Sequence, residues 1–442
     1  MIEHMQKQNM TFYRLLFLPI LAMASLLSSC GEDTGTNPNP DSIPVPQAYA
    51  FASRFQSGSS SVNYGGQTVR NLLIQDLSQK ISQLGTSGAS PITAAELLSL
   101  YEYNDASNLS STTSTGSLPA VERMYSIIST GKNLSGKISK AQLVGRTDNA
   151  DDLLRSWFAT IEQLSSDQQR IGTPMAYTTD DGLNLYELVN KLLLGSVAYY
   201  QGTGIYLNGI TERNNAAPDG ESAPYTEMEH AWDEAFGYFG AARNYSAYTD
   251  VQLAGSTEDF VGDVSGDGKI DFQSEYNFAF ARNAGKRDAG SATGRNFTKS
   301  IFDAFLGGRT SIVNKGTTAD LIIFRNQAVE EWEKLLAATV IHYINETLEN
   351  MEELTSESTP ENSLELNEHW AEMKGYSMAL QYNPMRKILD AEISVLQVLI
   401  GSHPVYAVPG SNGFNTYQAE LKNARSLLQE KYGFAEADVL SW

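Results

Sequence analysis

The chain has 442 residues, with 31 Lys and Arg against 52 Asp and Glu, a formal net charge of −21 and one cysteine. That acidic balance opposes nucleic acid and anionic lipid surfaces as partners, and a lone cysteine excludes an intrachain disulfide. No Gly-x-Ser-x-Gly, His-Glu-x-x-His or nucleotide-type glycine loop occurs, so the common hydrolase and nucleotide chemistries have no footing in the sequence.

Residues 1–29 combine a basic start (Lys7, Arg14) with an apolar run from Leu15 to Leu27, the pattern of a secretory signal peptide. The run is short for a membrane span. Leu27-Ser28-Ser29-Cys30 reads as a bacterial lipobox, which makes Cys30 the expected lipidation site. Gly31 after the cysteine resembles the sorting signal of outer-membrane lipoproteins. The expected location is therefore the cell envelope, anchored to the outer membrane and facing the periplasm or the surface. Residues 30–48 are rich in Pro, Asn and Asp and read as a tether. Beyond it, helical periodicity dominates near 66–84, 94–103, 120–130, 150–165, 183–207, 226–242, 318–353, 363–381, 385–400 and 414–431. Ser-, Gly- and Thr-rich stretches at 57–66, 107–117, 208–225 and 286–296 read as loops. The expected fold class is all-α. It divides into a first helical half over 49–245, an insertion over 246–300 and a second half over 301–442.

EMEHAWDEAFGYFGAA at 227–242 returns as ELNEHWAEMKGYSMAL at 365–380, an offset of 138 residues, and KLLLGSVAYY at 191–200 returns as KLLAATVIHY at 334–343. The two matches predict a duplicated helix pair. At about 100° per residue, Glu227, His230, Glu234 and Gly237 share one helix face, with Trp232 opposite. Glu365, Glu368, Glu372 and Gly375 share the corresponding face of the second copy, with Trp370 opposite. A glycine costs a helix up to about 1 kcal/mol against alanine, so Gly237 and Gly375 are expected where a neighbouring helix comes close.

Folding each pair antiparallel places Glu234 near Tyr199 and Tyr200, and Glu372 near His342. Carboxylates and imidazoles on facing helices are how helical bundles hold transition metals. Glu227, His230, Glu234, His342, Glu368, His369 and Glu372 are therefore the candidate metal ligands, with iron as the first metal to consider. The same residues equally suit a structural network in which buried glutamates bond Tyr, Lys or backbone. A second cation site is expected in GDVSGDGKIDFQSE, 262–275, where Asp263, Ser265, Asp267, Lys269 (through its carbonyl) and Asp271 take the ligand positions of a calcium loop around Gly268. The closing ligand is left between Ser274 and Glu275. His403, in a Pro/Gly loop, reads as a turn residue.

The lipobox, YAFASRFQSGSSSVNYGGQTVRNLLIQDL at 49–77, EHAWDEAFGYFG at 229–240 and HWAEMKGYSMALQYNP at 369–384 together resemble the envelope lipoproteins catalogued as domain of unknown function 4856. That group is in turn similar to imelysin-like proteins. The resemblance implies two pseudo-symmetric helical bundles and a link to iron uptake; some imelysin-like proteins were once classed as metallopeptidases. The imelysin signature Gly-x-His-x-x-Glu is only partly met: His369 and Glu372 keep its spacing, but Asn367 stands at the glycine position, and His230 has Asp233 where the glutamate belongs. The expectation is a lipoprotein, not an enzyme, that binds iron or an iron compound for an outer-membrane transporter. Two alternatives stay open: a metallopeptidase working through His369 and Glu372, and a glycan-binding surface lipoprotein.

Overall fold

A computed structural model describes residues 42–442; the expected signal peptide, Cys30 and most of the tether lie outside the described residues. In chain order the helices are α1 (Gly65–Ser82), α2 (Ala94–Tyr101), α3 (Tyr125–Ile128), α4 (Ala150–Ser166), α5 (Leu185–Leu193), α6 (Glu227–Phe239), α7 (Asp250–Ala254), α8 (Thr257–Phe260), α9 (Ala279–Ala289), α10 (Phe297–Val313), α11 (Thr318–Glu352), α12 (Leu364–Ala379), α13 (Asp390–Ile400), α14 (Asn412–Tyr432) and α15 (Glu436–Ser441). Helix α5 runs without a break into a π-helical segment, Leu194–Leu207. Among the described residues there are only isolated β-bridges, so the all-α expectation holds. None of the described helices is long and apolar enough to cross a membrane.

Local chemistry sets the helix ends. Thr226 caps α6 by accepting the Glu229 N–H while the Glu229 carboxylate takes the Thr226 N–H, and Thr317 and Asp320 repeat the device at α11. Gly240, with φ +79°, ends α6 in the left-handed conformation that glycine adopts without penalty. Helix α1 buries side chains all round, Val69, Leu72 and Leu73 beside Thr68, Arg70 and Asn71, and is therefore central. Around it α6 packs on the π segment, α12 packs on α5 and α11, and α10 packs on α11. One continuous apolar core runs from Tyr49 to Trp442 and includes the three fully buried tryptophans Trp232, Trp332 and Trp370.

Two expectations change. Residues 120–130 give only the single turn of α3, because neighbouring backbone is spent elsewhere: Ser111 N–H bonds Arg123 O at 2.8 Å and Val121 N–H bonds Ile270 O at 2.9 Å. The segment 246–300 holds three helices, α7 to α9, and α10 follows at once. Helix α10 carries Gly307, Gly308 and Arg309 in its interior, and all three are buried. That mixture hides an apolar stripe from sequence periodicity.

Candidate functional site

The repeated word forms the same clasp twice. On α6 the Glu234 carboxylate accepts the Tyr206 hydroxyl at 3.0 Å and Gln67 Nε2 at 2.8 Å. On α12 the Glu372 carboxylate accepts the Tyr343 hydroxyl at 2.7 Å and pairs with Lys191 Nζ at 2.9 Å. Each tyrosine stacks on the tyrosine of the repeated word, Tyr206 on Tyr238 at 6.1 Å and Tyr343 on Tyr376 at 6.0 Å. The glycines lie where a third helix comes close. A Cβ on Gly237 would sit 2.6 Å from Tyr64 Cβ, and one on Gly375 would sit 2.4 Å from Lys191 Cβ. On the far side Trp232 Nε1 donates to Phe305 O at 2.9 Å and Trp370 Nε1 to Tyr417 Oη at 2.8 Å. Glu234 thus meets Tyr206, near the C-terminal end of the π segment, rather than Tyr199 or Tyr200. Glu372 meets Tyr343, one residue beyond the expected His342.

The expected ligand set is not assembled. Glu227 is half-buried at the start of α6 and paired with Arg213 at 2.7 Å, which holds its carboxyl below the usual range. His230 lies 3.1 Å from Asn63 O, stacks on Tyr225 and comes only within 4.0 Å of Glu234. His369 Nδ1 is 2.8 Å from Asn350 Oδ1, and His342 and His369 approach Glu346 at 3.8 and 4.0 Å. Glu368 is exposed one turn before Glu372. Among the described residues no group of three or more His, Cys, Asp or Glu is placed to hold a metal ion. The glutamates direct their lone pairs at Tyr, Gln, Lys and Arg instead. Burial pushes the His342 pKa down to about 3, helped by the nearby cations Arg287 and Lys286 and by His369.

The second clasp opens onto a cleft of about 440 Å³ bounded by α1, α5, α9 and α12. Lys191 is shared there between Glu187 and Glu372. Helix α9 contributes cations of a different kind. Arg282 and Lys286 line the cleft, and neither they nor the adjacent Arg287 has a carboxylate within ion-pair distance among the described residues. The Arg282 guanidinium lies 3.8 Å over the Phe260 ring and donates to Gly255 O at 3.1 Å, while its Nε stays buried without an acceptor. Arg287 is 6 % exposed, with Nε and Nη1 unpartnered. Burial lowers the pKa of Arg282 and Arg287, and desolvation by the crowded surroundings lowers that of Lys286, although its side chain is exposed. Hydroxyls and amides of Tyr186, Tyr276, Tyr376, Asn190 and Asn283 make much of the remaining wall, with Ile74, Leu194 and Phe278 as its apolar part. These α9 cations were missed because their stretch reads as an insertion ending in a loop. The available signal was the run RNAGKR in so acidic a chain.

The 262–275 loop folds around its first aspartate. Asp263 accepts the N–H groups of Gly266 at 2.7 Å, Asp267 at 3.2 Å and Gly268 at 2.8 Å, and the Ser265 hydroxyl at 3.2 Å. These bonds, Gly268 first, hold its carboxyl below the ordinary range. Asp267 accepts the Lys269 N–H at 2.9 Å. Gly266 and Gly268 both have φ +77°. Glu275 reaches back to the N–H groups of Ser265 at 2.7 Å and Asp271 at 2.9 Å, whereas the Ser274 hydroxyl turns to Asp271 at 2.7 Å. Ile270 pins the loop to the body through Pro119 O at 2.9 Å.

Residues 46–383 match the family model described as Domain of unknown function (DUF4856), and the chain belongs to that family. Neither the curated proteins nor the solved structures yield a match.

Proposed function

We propose that this family member is a binding protein, not an enzyme, that holds a small anionic ligand in the α1–α5–α9–α12 cleft. On this reading iron reaches it as an anionic chelate and not as a bare ion. The observation that carries the proposal is the set of α9 cations without a carboxylate, Arg287 buried, Arg282 partly buried and Lys286 exposed on the cleft. Burying a charged group without a partner is costly, and an anion in the cleft would offset that cost. In a chain of net charge −21 such a pocket is the local exception that an anion would need. A bare transition metal would need free imidazoles and carboxylates, and Glu372, Glu234 and Glu227 are already bonded to Lys191, Gln67 and Arg213.

The lipobox at Cys30 supports an outer-membrane lipid anchor, with delivery to an outer-membrane transporter as the role in uptake. The twin Glu–Tyr clasps support a duplicated, imelysin-like pair of bundles. Asp263, the left-handed Gly268 and the closing Glu275 support a structural calcium ion in the 262–275 loop. The peptidase alternative finds little support, since His369 is bonded to Asn350 and Glu372 to Lys191 and Tyr343. The glycan alternative keeps one observation in its favour, the tyrosine and amide wall of the same cleft.

Calorimetric titration with ferric citrate, citrate and a neutral oligosaccharide separates these readings, using the parent and the double variant Arg282→Gln, Lys286→Gln. Both anions should bind the parent and weaken about tenfold or more in the variant. Oligosaccharide binding that the variant keeps would replace this reading with the glycan one. Free ferrous ion bound at the clasp histidines, and lost in His342→Ala, would restore the bare-metal reading.

A further inference from the structure

The far face of α12 has chemistry of its own. Residues two apart on a helix point about 200° apart, so Lys374 and Met378 face away from Glu372 and Tyr376. They look into a separate pocket of about 400 Å³, between α12, α13 and the 143–146 loop. Leu143, Val144, Met378, Ile393 and Val398 make its apolar wall. Lys374, half-buried, donates to Gly401 O at 2.7 Å and has no carboxylate partner among the described residues. Arg146, the other cation at the rim, is already neutralised by Asp148 through two bonds of 2.7 Å. Gln381 accepts the Val144 N–H at 2.8 Å, which fixes its amide and leaves Nε2 buried with no acceptor.

We propose that this pocket is a second binding site, for a medium-chain carboxylate. The carboxylate sits on Lys374 Nζ, the one uncompensated cation of the pocket. The apolar body covers Met378, Ile393 and Val398. An apolar wall with a few fixed polar groups at its ends is the usual make-up of a small-molecule site, and an ammonium without a counter-charge selects an acid over the corresponding alcohol. The site does not depend on the cleft reading, because no cleft residue touches it.

The probes are octanoate and octanol, titrated calorimetrically into the protein. Octanoate should bind, and octanol at least about tenfold more weakly, the difference a charge-assisted bond makes. Lys374→Met should remove the preference for acid over alcohol. Val398→Asp, at a residue 75 % exposed and so harmless to folding, should remove binding of both. Lys286→Gln, in the cleft, should leave octanoate binding as it is. Equal binding of octanoate and octanol, an unchanged Val398→Asp variant, or no octanoate binding at about 1 mM would each overturn the proposal.

Discussion

Gly375→Ala adds one methyl group to α12, and the result can be worked out from one crossing. The new Cβ would stand 2.4 Å from Lys191 Cβ and 3.1 Å from its Cγ, where carbon atoms in contact prefer about 3.5–4 Å. Helices α5 and α12 must part by about 1 Å, since neither atom is the free end of a side chain. Such overpacking costs about 1–3 kcal/mol. Parting also stretches the Lys191–Glu372 pair from 2.9 Å, giving up part of the roughly 3–5 kcal/mol that a broken buried pair costs. Against this, alanine is the better helix former by about 1 kcal/mol. The net expectation is a loss of about 2 kcal/mol in urea unfolding followed by circular dichroism, with an unchanged m value. Gly66→Ala is the control: its Cβ meets Lys132 Cε at 2.9 Å and Cδ at 3.2 Å, on a side chain that can swing away, and Arg70 Nη1 at an ordinary contact distance of 3.4 Å. That variant should stay within about 0.5 kcal/mol of the parent. If Gly375→Ala proves as stable as Gly66→Ala, the close-approach account of the repeated glycine is wrong.

Arg309→Met should cost about 3–5 kcal/mol in the same unfolding assay, because it leaves buried Asp233 without a cation and Glu229 with Arg54 alone, where a fully buried guanidinium now holds them at 2.8 and 3.0 Å. Adding Glu229→Gln and Asp233→Asn should recover part of that loss, and no recovery would refute the pairing account. The His342 pKa is about 3 in the folded chain, so the unfolded chain binds the extra proton below about pH 6.5. The resulting stability is fully present above that pH and drains as pH falls toward 3, by about 2 kcal/mol at pH 5. His342→Gln should flatten this slope, and parallel curves for parent and variant would show that another group carries it. Calcium at about 1 mM should raise the melting temperature of the parent but not of Asp263→Ala; an equal rise in both would place the ion elsewhere.

The helices of the repeated word, its glycines and its buried tryptophans were legible because each is a property of a single helix. Periodicity gives the faces, and an interior glycine with a tryptophan opposite has few uses other than close packing. What bonds to Glu234 and Glu372 was not legible, since that depends on the register between helices. It is Tyr206, not Tyr200, of the 194–207 segment that reaches Glu234. The most buried charges of α6 were missed for a related reason. Glu229 and Asp233 lie off the face that carries His230 and Glu234, and their partner Arg309 sits in α10. No pattern along α6 reveals a cation that arrives from so far along the chain. Helix α10 itself was obscured by Gly307, Gly308 and Arg309, which interrupt its apolar stripe yet are buried.

The two clasps differ at one position, and the difference bears on function. In the first copy the third-helix donor to the glutamate is Gln67, so the clasp is held by hydrogen bonds with one charge, on Glu234. In the second the donor is Lys191, which also takes Glu187, so two carboxylates and an ammonium meet with Tyr343 at the wall of the cleft. A buried ion pair is a poor source of stability compared with an apolar contact of the same volume, so stability alone gives no reason to place one here. The second clasp, unlike the first, lines the cleft beside the uncompensated cations of α9. The first copy is therefore the better candidate for architecture alone, and the second copy is where an anionic ligand would be felt.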